Sequence, residues 1–358
     1  MSKFFSAKYA ALDPYVPGEQ PKDVRYVKLN TNESPFAPPL SVVEAVQAEA
    51  KRLQLYSDPE SGALTEEMAK TIGVKKSQVI MTNGSDEALN FAFMAFCDET
   101  RPIVFPDITY GFYPVFARLN GIPYETLPLK EDFTVDVNAY LGIGKNVVIA
   151  NPNAPTGLAL SREQIEKIVR SNPNNVVIVD EAYVDFGGET CVPLINAYPN
   201  LLVVQTFSKS RSLAGARLGF AVGNEALIAD LNAVKYSTNP YNVNRMTAAA
   251  GLAAIEETER FAKNCLTIRE NREYTAARLK GMDFTVLDSR ANFLFAKSEF
   301  VDGKTLYEEL KKRGVLVRWF NAERIRDFIR VTIGTKEQME TFLNEVRKIL
   351  AEKGNESI

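Results

Sequence analysis

Apolar and polar positions divide the chain into three stretches with different rhythms. Between about Gln78 and Gly223, short apolar runs alternate with longer amphipathic segments. The runs are Gln78–Met81, Pro102–Phe105, Tyr124–Leu129, Asn146–Ala150, Asn175–Val179, Leu201–Phe207 and Leu218–Val222. Several carry no polar position (Val147-Val148-Ile149-Ala150, Val176-Val177-Ile178-Val179), as strands do when helices cover both faces of their sheet. Segments such as Asp86–Phe96 and Arg162–Arg170 read as the covering helices. The pattern predicts an α/β layered domain with a mostly parallel, seven-stranded sheet.

The flanks read differently. Pro14, Pro17, Pro21, Pro35, Pro38 and Pro39 make the N-terminal segment an extended arm. Beyond a helical stretch from about Arg245 to Leu279, the order becomes strand, helix, strand, strand. The strands are Phe284–Val286 with Phe293–Ala296, then Leu316–Trp319 and Phe328–Ile333. This predicts a smaller α+β domain over 248–358, completed by part of an arm spanning 1–45, beside a large domain of 46–247. A tail is expected to fray from about Glu352. Internal repeats are absent.

Composition narrows the chemistry. At 358 residues the chain exceeds one compact core, which agrees with two unequal domains. A formal charge of −3 gives no general attraction to nucleic acid or to an anionic membrane. An anionic substrate would therefore need positive charge concentrated in one site. No apolar run approaches the ~18 residues of a membrane span. Met1–Ala10 carries Phe4 and Phe5 but no apolar signal core, so a cytoplasmic protein is expected. The three scattered cysteines, Cys97, Cys191 and Cys265, show no CxxC spacing and fit a reducing compartment. The chain contains no histidine, which removes Ser-His-Asp and Cys-His systems and every His-ligated metal site. No metal is expected. Proton transfer must use Lys, Asp, Glu, Tyr or a cofactor.

In open α/β sheets, ligands sit beyond the carboxyl ends of the strands. Four polar clusters follow predicted strands: Asn83–Glu87, Asn151–Gly157, Asp180–Tyr183 and Ser208–Arg217. Each alone has an ordinary reading. Gly84-Ser85 reads as a helix cap with acidic residues in the first turn, or as a backbone cradle for phosphate. Asn151–Gly157 reads as a proline-rich turn. Asp180 can cap the next element, or stand as a buried carboxylate facing a protonated pyridine nitrogen, with the Tyr183 hydroxyl beside it. Lys209 decides between these readings. A lysine directly after a buried strand is an odd choice for a solvated face, and desolvation would lower its pKa as amine nucleophiles require. Arg217, past a turn of small residues, can give a bidentate phosphate contact together with Ser208.

Ser208-Lys209 followed by Leu213-Ala214-Gly215-x-Arg217, Asn151-Pro152-Asn153-x-Pro155-Thr156-Gly157 and Asp180-Glu181-Ala182-Tyr183 resemble the fold type I pyridoxal-phosphate (PLP) aminotransferases. The resemblance covers nearly the whole chain and narrows to the histidinol-phosphate aminotransferase branch. The narrowing rests on Leu12–Gly18, Leu29–Glu33, Tyr56–Pro59, Tyr110 and Ile329–Thr335. It implies that Lys209 bonds the cofactor covalently, that Asp180 faces the ring nitrogen and that Tyr183 contacts the ring hydroxyl. It further implies that Tyr110 stacks on the ring, while Ser85, Asp86, Ser208 and Arg217 hold the phosphate. Tyr56 would reach the neighbouring subunit's site, which implies a homodimer with shared active sites. Arg330 and Arg318 would contact anionic substrate groups, with Tyr15 and Asn32 lining the same subsite.

Two positions depart from the resemblance. Ala154 stands where the family usually has asparagine, so either Asn153 bonds the ring oxygen or Tyr183 does so alone. Ser210-Arg211-Ser212 replaces a segment where an aromatic and a glycine are common, and Arg211 is expected to add a cation near the phosphate and to depress Lys209 further.

The implied reaction is transamination between L-histidinol phosphate and 2-oxoglutarate, giving imidazole acetol phosphate and L-glutamate in histidine biosynthesis. An aromatic amino-acid aminotransferase and a PLP-dependent threonine-phosphate decarboxylase share most of these motifs. A nucleotide-binding protein would need a glycine-rich loop. Leu141-Gly142-Ile143-Gly144 lacks the third glycine, and Ser298 stands where Gly303-Lys304-Thr305 needs the upstream one. A non-catalytic descendant would have little reason to keep Lys209, Asp180 and Arg217 together. Trp319 and Phe91, Phe93 and Phe96 are read as core packing.

Overall fold

The computed structural model describes residues 2–10, 12–21 and 26–355. Each of the seven apolar runs forms a strand whose ends fall within two residues of the predicted ones. Across the sheet the order is Val79–Thr82, Gly219–Gly223, Leu201–Thr206, Val177–Asp180, Asn146–Ala150, Ile103–Pro106 and Tyr124–Leu127. Gly219–Gly223 runs antiparallel to both neighbours; the remaining pairings are parallel.

Uniformly apolar strands arise because both sheet faces are covered. Val177 and Val179 enter one core with Ile165, Ile168 and Val169 of the helix Arg162–Ser171. Ile178 points the other way and packs with Leu89, Phe93 and Phe96 of the helix Gly84–Phe96. The alternation of a strand thus feeds two apolar layers.

The smaller sheet is antiparallel, in the order Arg318–Trp319, Ile329–Thr332, Phe293–Ser298 and Phe284–Val286. Two predicted elements are divided. The expected strand Leu316–Trp319 splits at Val317: Val315–Leu316 pairs in parallel with Val27–Lys28 of the arm, while Arg318–Trp319 pairs with Ile329–Thr332. The long helical stretch breaks at Glu257 into Arg245–Glu256 and Thr258–Lys280. The arm is laced into this part of the molecule by backbone bonds from Leu29 N–H to Leu316 O and from Thr332 N–H to Leu29 O. The last helix, Lys336–Asn355, continues past the expected fraying point, and 356–358 lie outside the described residues. Among the described residues, no helix is long and apolar enough to cross a membrane.

Candidate active site

The carboxyl ends of the large sheet open onto a cavity of about 580 Å3, closed on its far side by the arm and the smaller sheet. Ser85, Asp86, Tyr110, Asp180, Tyr183, Ser208, Lys209 and Arg217 reach it from strand-end loops. Tyr15 and Asn32 reach it from the arm, and Arg318 and Arg330 from the smaller sheet.

Lys209 follows the buried Leu201–Thr206 strand and Phe207, so its aliphatic stem leaves the core and its amine ends in the cavity wall. The amine donates to Thr31 O at 3.2 Å. Burial lowers its pKa to about 8; Arg330 and Arg217 push the same way, while Glu33 and Asp86 oppose them. A substantial neutral fraction therefore exists near neutrality, as a nucleophilic amine needs.

Asp180 ends the Val177–Asp180 strand and is buried. It accepts hydrogen bonds from the Tyr113 hydroxyl at 2.9 Å and from Ala182 N–H at 3.1 Å. Burial nevertheless raises its pKa to about 6, with the Asp86 charge adding to the rise. A buried carboxylate held by neutral donors is suited to a cationic ligand atom.

The anion-binding end is built by close backbone approach. Gly84, at φ +76°, opens the helix Gly84–Phe96, and a Cβ there would lie 2.6 Å from Arg217 Nη2. A Cβ on Gly219 would lie 2.4 Å from Ser85 N. The two glycines let the Arg217 guanidinium and its strand close on the helix N-terminus, whose free N–H groups and dipole attract anions. Asp86 braces the corner: its carboxylate accepts from Tyr110 OH at 2.7 Å and from Arg217 Nη2 at 3.0 Å.

Arg330 lies between the rings of Phe293 and Phe320, at 5.3 and 5.5 Å from their centroids. One Nη donates to Asn30 O at 3.0 Å, while its buried Nε has no partner in the protein. A guanidinium that lines a cavity with donors left unpaired can bind an oxyanion. Carboxylate, amine and anion cradle thus form the donor set that pyridoxal phosphate requires: a partner for its ring nitrogen, one for its aldehyde and one for its phosphate.

Residues 24–346 match the model of the family described as aminotransferase class I and II. The chain belongs to this aminotransferase family. A histidinol-phosphate aminotransferase of Brachyspira hyodysenteriae is 46% identical over 98% of this chain and 99% of that protein. One of Aromatoleum aromaticum is 47% identical over 98% of this chain and all of that protein. The solved histidinol-phosphate aminotransferase of Sinorhizobium meliloti, in complex with pyridoxal-5'-phosphate, superimposes with a TM-score of 0.88. It covers 98% of this chain and 99% of the solved chain; at 21% identity it speaks to the fold alone.

Within this aminotransferase, two expectations meet a different arrangement. Asn153 is not on the wall of the main cavity; it faces a separate one of about 400 Å3 beside the helix Arg162–Ser171. Its amide donates to Ile108 O and Thr156 Oγ1 and accepts from Thr109 Oγ1. Neighbouring side chains in the turn point to opposite sides, and Ala154 takes the side of the main cavity. Arg211 turns away as well. It packs 4.2 Å from the Phe261 centroid and 5.5 Å from that of Phe207, and donates to Ala254 O, so the cations acting on Lys209 are Arg330 and Arg217. Arg330 stands on a strand paired on both sides, its side chain half-buried against the Phe293 and Phe320 rings.

Arg318 lines the cavity, but its guanidinium donates to Val16 O at 3.1 Å and Pro17 O at 3.3 Å, holding the arm. Tyr15 stacks on Phe112, with 4.3 Å between centroids. Tyr56 lies outside the cavity, 79% exposed and stacked on Tyr241. Phe91, Phe93 and Phe96 are core residues. Trp319 is half-buried, stacked on Tyr307.

Sequence reasoning missed Tyr113 and the backbone of Asn30–Glu33. That short stretch meets three expected site residues: Asn30 O accepts from Arg330, Thr31 O from Lys209, and the Asn32 amide donates to Tyr183. Carbonyl acceptors leave no trace in side-chain patterns. Tyr113 carried a faint signal, lying three residues after Tyr110.

Proposed function

We propose that this aminotransferase uses pyridoxal phosphate to exchange an amino group between L-histidinol phosphate and 2-oxoglutarate, a step of histidine biosynthesis. The observation that carries the reading is one cavity holding Lys209, Asp180, the Gly84–Arg217 cradle and Arg330. It is supported by relatives of that name at 46–47% identity over nearly the full length. The cofactor supplies an electron sink for the carbanion formed at the substrate's α-carbon.

The chain's own groups do the rest. The N-terminus of Gly84–Phe96, with Ser85, Ser208 and Arg217, would hold the phosphate, and Asp86 fixes Arg217. Asp180 would keep a proton on the ring nitrogen. Tyr110 would cover the ring, and Tyr183 would donate to its oxygen. The neutral amine of Lys209 removes the substrate's α-proton and is the group that returns it; no histidine is available for either task. Arg330 binds the carboxylate or phosphate of the substrate, assisted by Arg318, Tyr15 and Asn32. Both substrates carry anionic groups, which two arginines in one pocket suit.

The proposal includes a homodimer and a cytoplasmic setting. Leu40, Val43, Leu53, Leu55, Tyr56 and Tyr241 are exposed, with Tyr56 stacked on Tyr241. A second copy packed over the Tyr56–Tyr241 pair would carry Tyr56 toward the other subunit's cavity. Three free, buried cysteines fit a reducing compartment. A sedimentation measurement that returned a monomer would remove the shared-site part.

The test is optical. The purified protein should show the visible absorption of bound PLP, bleach with L-histidinol phosphate and recover with 2-oxoglutarate. Bleaching by phenylalanine or tyrosine alone would move the substrate to the aromatic amino acids, and release of carbon dioxide would point to decarboxylation. No visible band after incubation with excess PLP would overturn the cofactor assignment.

A further inference from the structure

A hydroxyl can donate or accept, and its neighbours decide which. Asn32 Nδ2 donates to the Tyr183 hydroxyl oxygen at 2.9 Å. The orientation of that amide is set in turn by Thr332: its hydroxyl donates to Asn32 Oδ1 at 3.1 Å and accepts from Asn32 N–H at 2.9 Å. With the amide reversed, the Thr332 proton would have no acceptor among these atoms, in a place where Asn32 and Thr332 are 1% and 3% exposed. Asn292 Nδ2 holds the Asn32 carbonyl from behind, at 3.0 Å. The relay therefore runs one way, from Thr332 through Asn32 to Tyr183, and leaves the Tyr183 proton for an acceptor in the cavity. Burial also raises the Tyr183 pKa, so the hydroxyl keeps that proton. Ala154, packed in the same cluster, brings no donor of its own.

We propose that Asn32 and Thr332 are positioning residues that commit the Tyr183 hydroxyl to donating toward the oxygen of the ring bound in the cavity. The inference deepens the reading of the cofactor site given above and rests on it. It also assigns Asn32 a role other than substrate contact. Thr332 stands two residues beyond Arg330 on the same face of one strand, so a single rigid element sets both the anion contact and the direction of the ring-oxygen donor.

A donor to the ring oxygen stabilises its anionic form and eases loss of the proton shared between that oxygen and the Lys209 nitrogen. Misdirecting the donor should therefore raise the pH at which the visible band of the holoenzyme titrates. The measurement is a spectrophotometric pH titration of the holoenzyme, without substrate, for six proteins: wild type, Tyr183→Phe, Thr332→Val, Thr332→Ser, Asn32→Asp and the double variant Tyr183→Phe with Thr332→Val. Aspartate keeps the shape of Asn32 and tolerates its φ of +57°, but sets an acceptor against Tyr183. Thr332→Val and Asn32→Asp should raise the midpoint by about half a unit to one unit, toward the value of Tyr183→Phe. Thr332→Ser should match wild type, and Thr332→Val should add nothing in the Tyr183→Phe background.

A midpoint that moves in Tyr183→Phe but stays put in Thr332→Val and Asn32→Asp overturns the inference and leaves the cofactor reading intact. A shift from Thr332→Val that persists without the Tyr183 hydroxyl overturns it too, since the residue would then act by another route. A wild type with no visible band defeats the cofactor reading and this inference with it.

Discussion

Replacing Asp180 by asparagine should stabilise the cofactor-free protein at neutral pH while destroying its activity. The unfolded carboxyl titrates near 3.8; burial raises the folded value to about 6. The folded state thus holds the proton more tightly, and stability falls as pH rises through the window between those values. At about 1.4 kcal/mol per unit of pH, the ionised carboxylate costs the apoprotein on the order of 3 kcal/mol above pH 6. An asparagine amide in its place would keep the acceptor for Ala182 N–H and could donate to the Tyr113 oxygen, while the Tyr113 proton would lose its acceptor and offset part of the gain. The assay is urea unfolding of wild-type and Asp180→Asn apoprotein between pH 4 and 8. The variant should be the more stable by up to about 3 kcal/mol at pH 7.5, with the difference vanishing toward pH 4. Glu181, raised by burial to about 7, adds its own fall to both proteins and cancels in the comparison. Added PLP should stabilise wild type more than the variant. A variant no more stable than wild type at pH 7.5, or an advantage that persists unchanged at pH 4, would refute the claim that Asp180 is an uncompensated buried carboxylate.

Other outcomes follow from the same geometry. Lys209→Ala should abolish turnover with the fold intact by circular dichroism; substantial remaining transamination would remove the lysine from the mechanism. In wild type, the rate at which apoprotein captures PLP should climb about tenfold per pH unit below 8 and level off above it, because only the neutral amine attacks. Gly219→Ala places a Cβ 2.4 Å from Ser85 N and 2.5 Å from Gly84 C, so it should displace the phosphate cradle. Equilibrium dialysis should show PLP affinity falling at least roughly tenfold, the cost of about one charge-assisted hydrogen bond. Arg330→Ala should lower kcat/KM for both substrates by roughly a hundredfold or more, as removing one partner of a buried charge pair does; a loss confined to one substrate would place the other's anion elsewhere.

The fold was legible because its signals are local. Val147–Ala150 and Val176–Val179 read as strands buried on both faces, and the helical segments between such runs supply the cover. Lys209, Asp180 and Arg217 were legible for a related reason: a charged residue at the end of an apolar strand lies where open α/β sheets bind ligands. The sequence also determined what chemistry was absent, since a chain without histidine must route its protons through Lys, Asp, Glu, Tyr or a cofactor.

What only the tertiary structure decided concerns direction and long-range contact. Asn153 and Ala154 are adjacent, and nothing local says which faces the cavity; the packing of Asn153 against Ile108, Thr109 and Thr156 settles it. Arg211 reads as one more cation near Lys209 until Phe207 and Phe261 are seen to hold it on another side. Tyr183 meets Asn32 and Asn32 meets Thr332 across separations of 151 and 300 residues. Hydrophobic periodicity reports which face of an element is buried and carries no information about its partner. The direction of a hydrogen bond depends on every atom around it, and those atoms come together only in the folded chain.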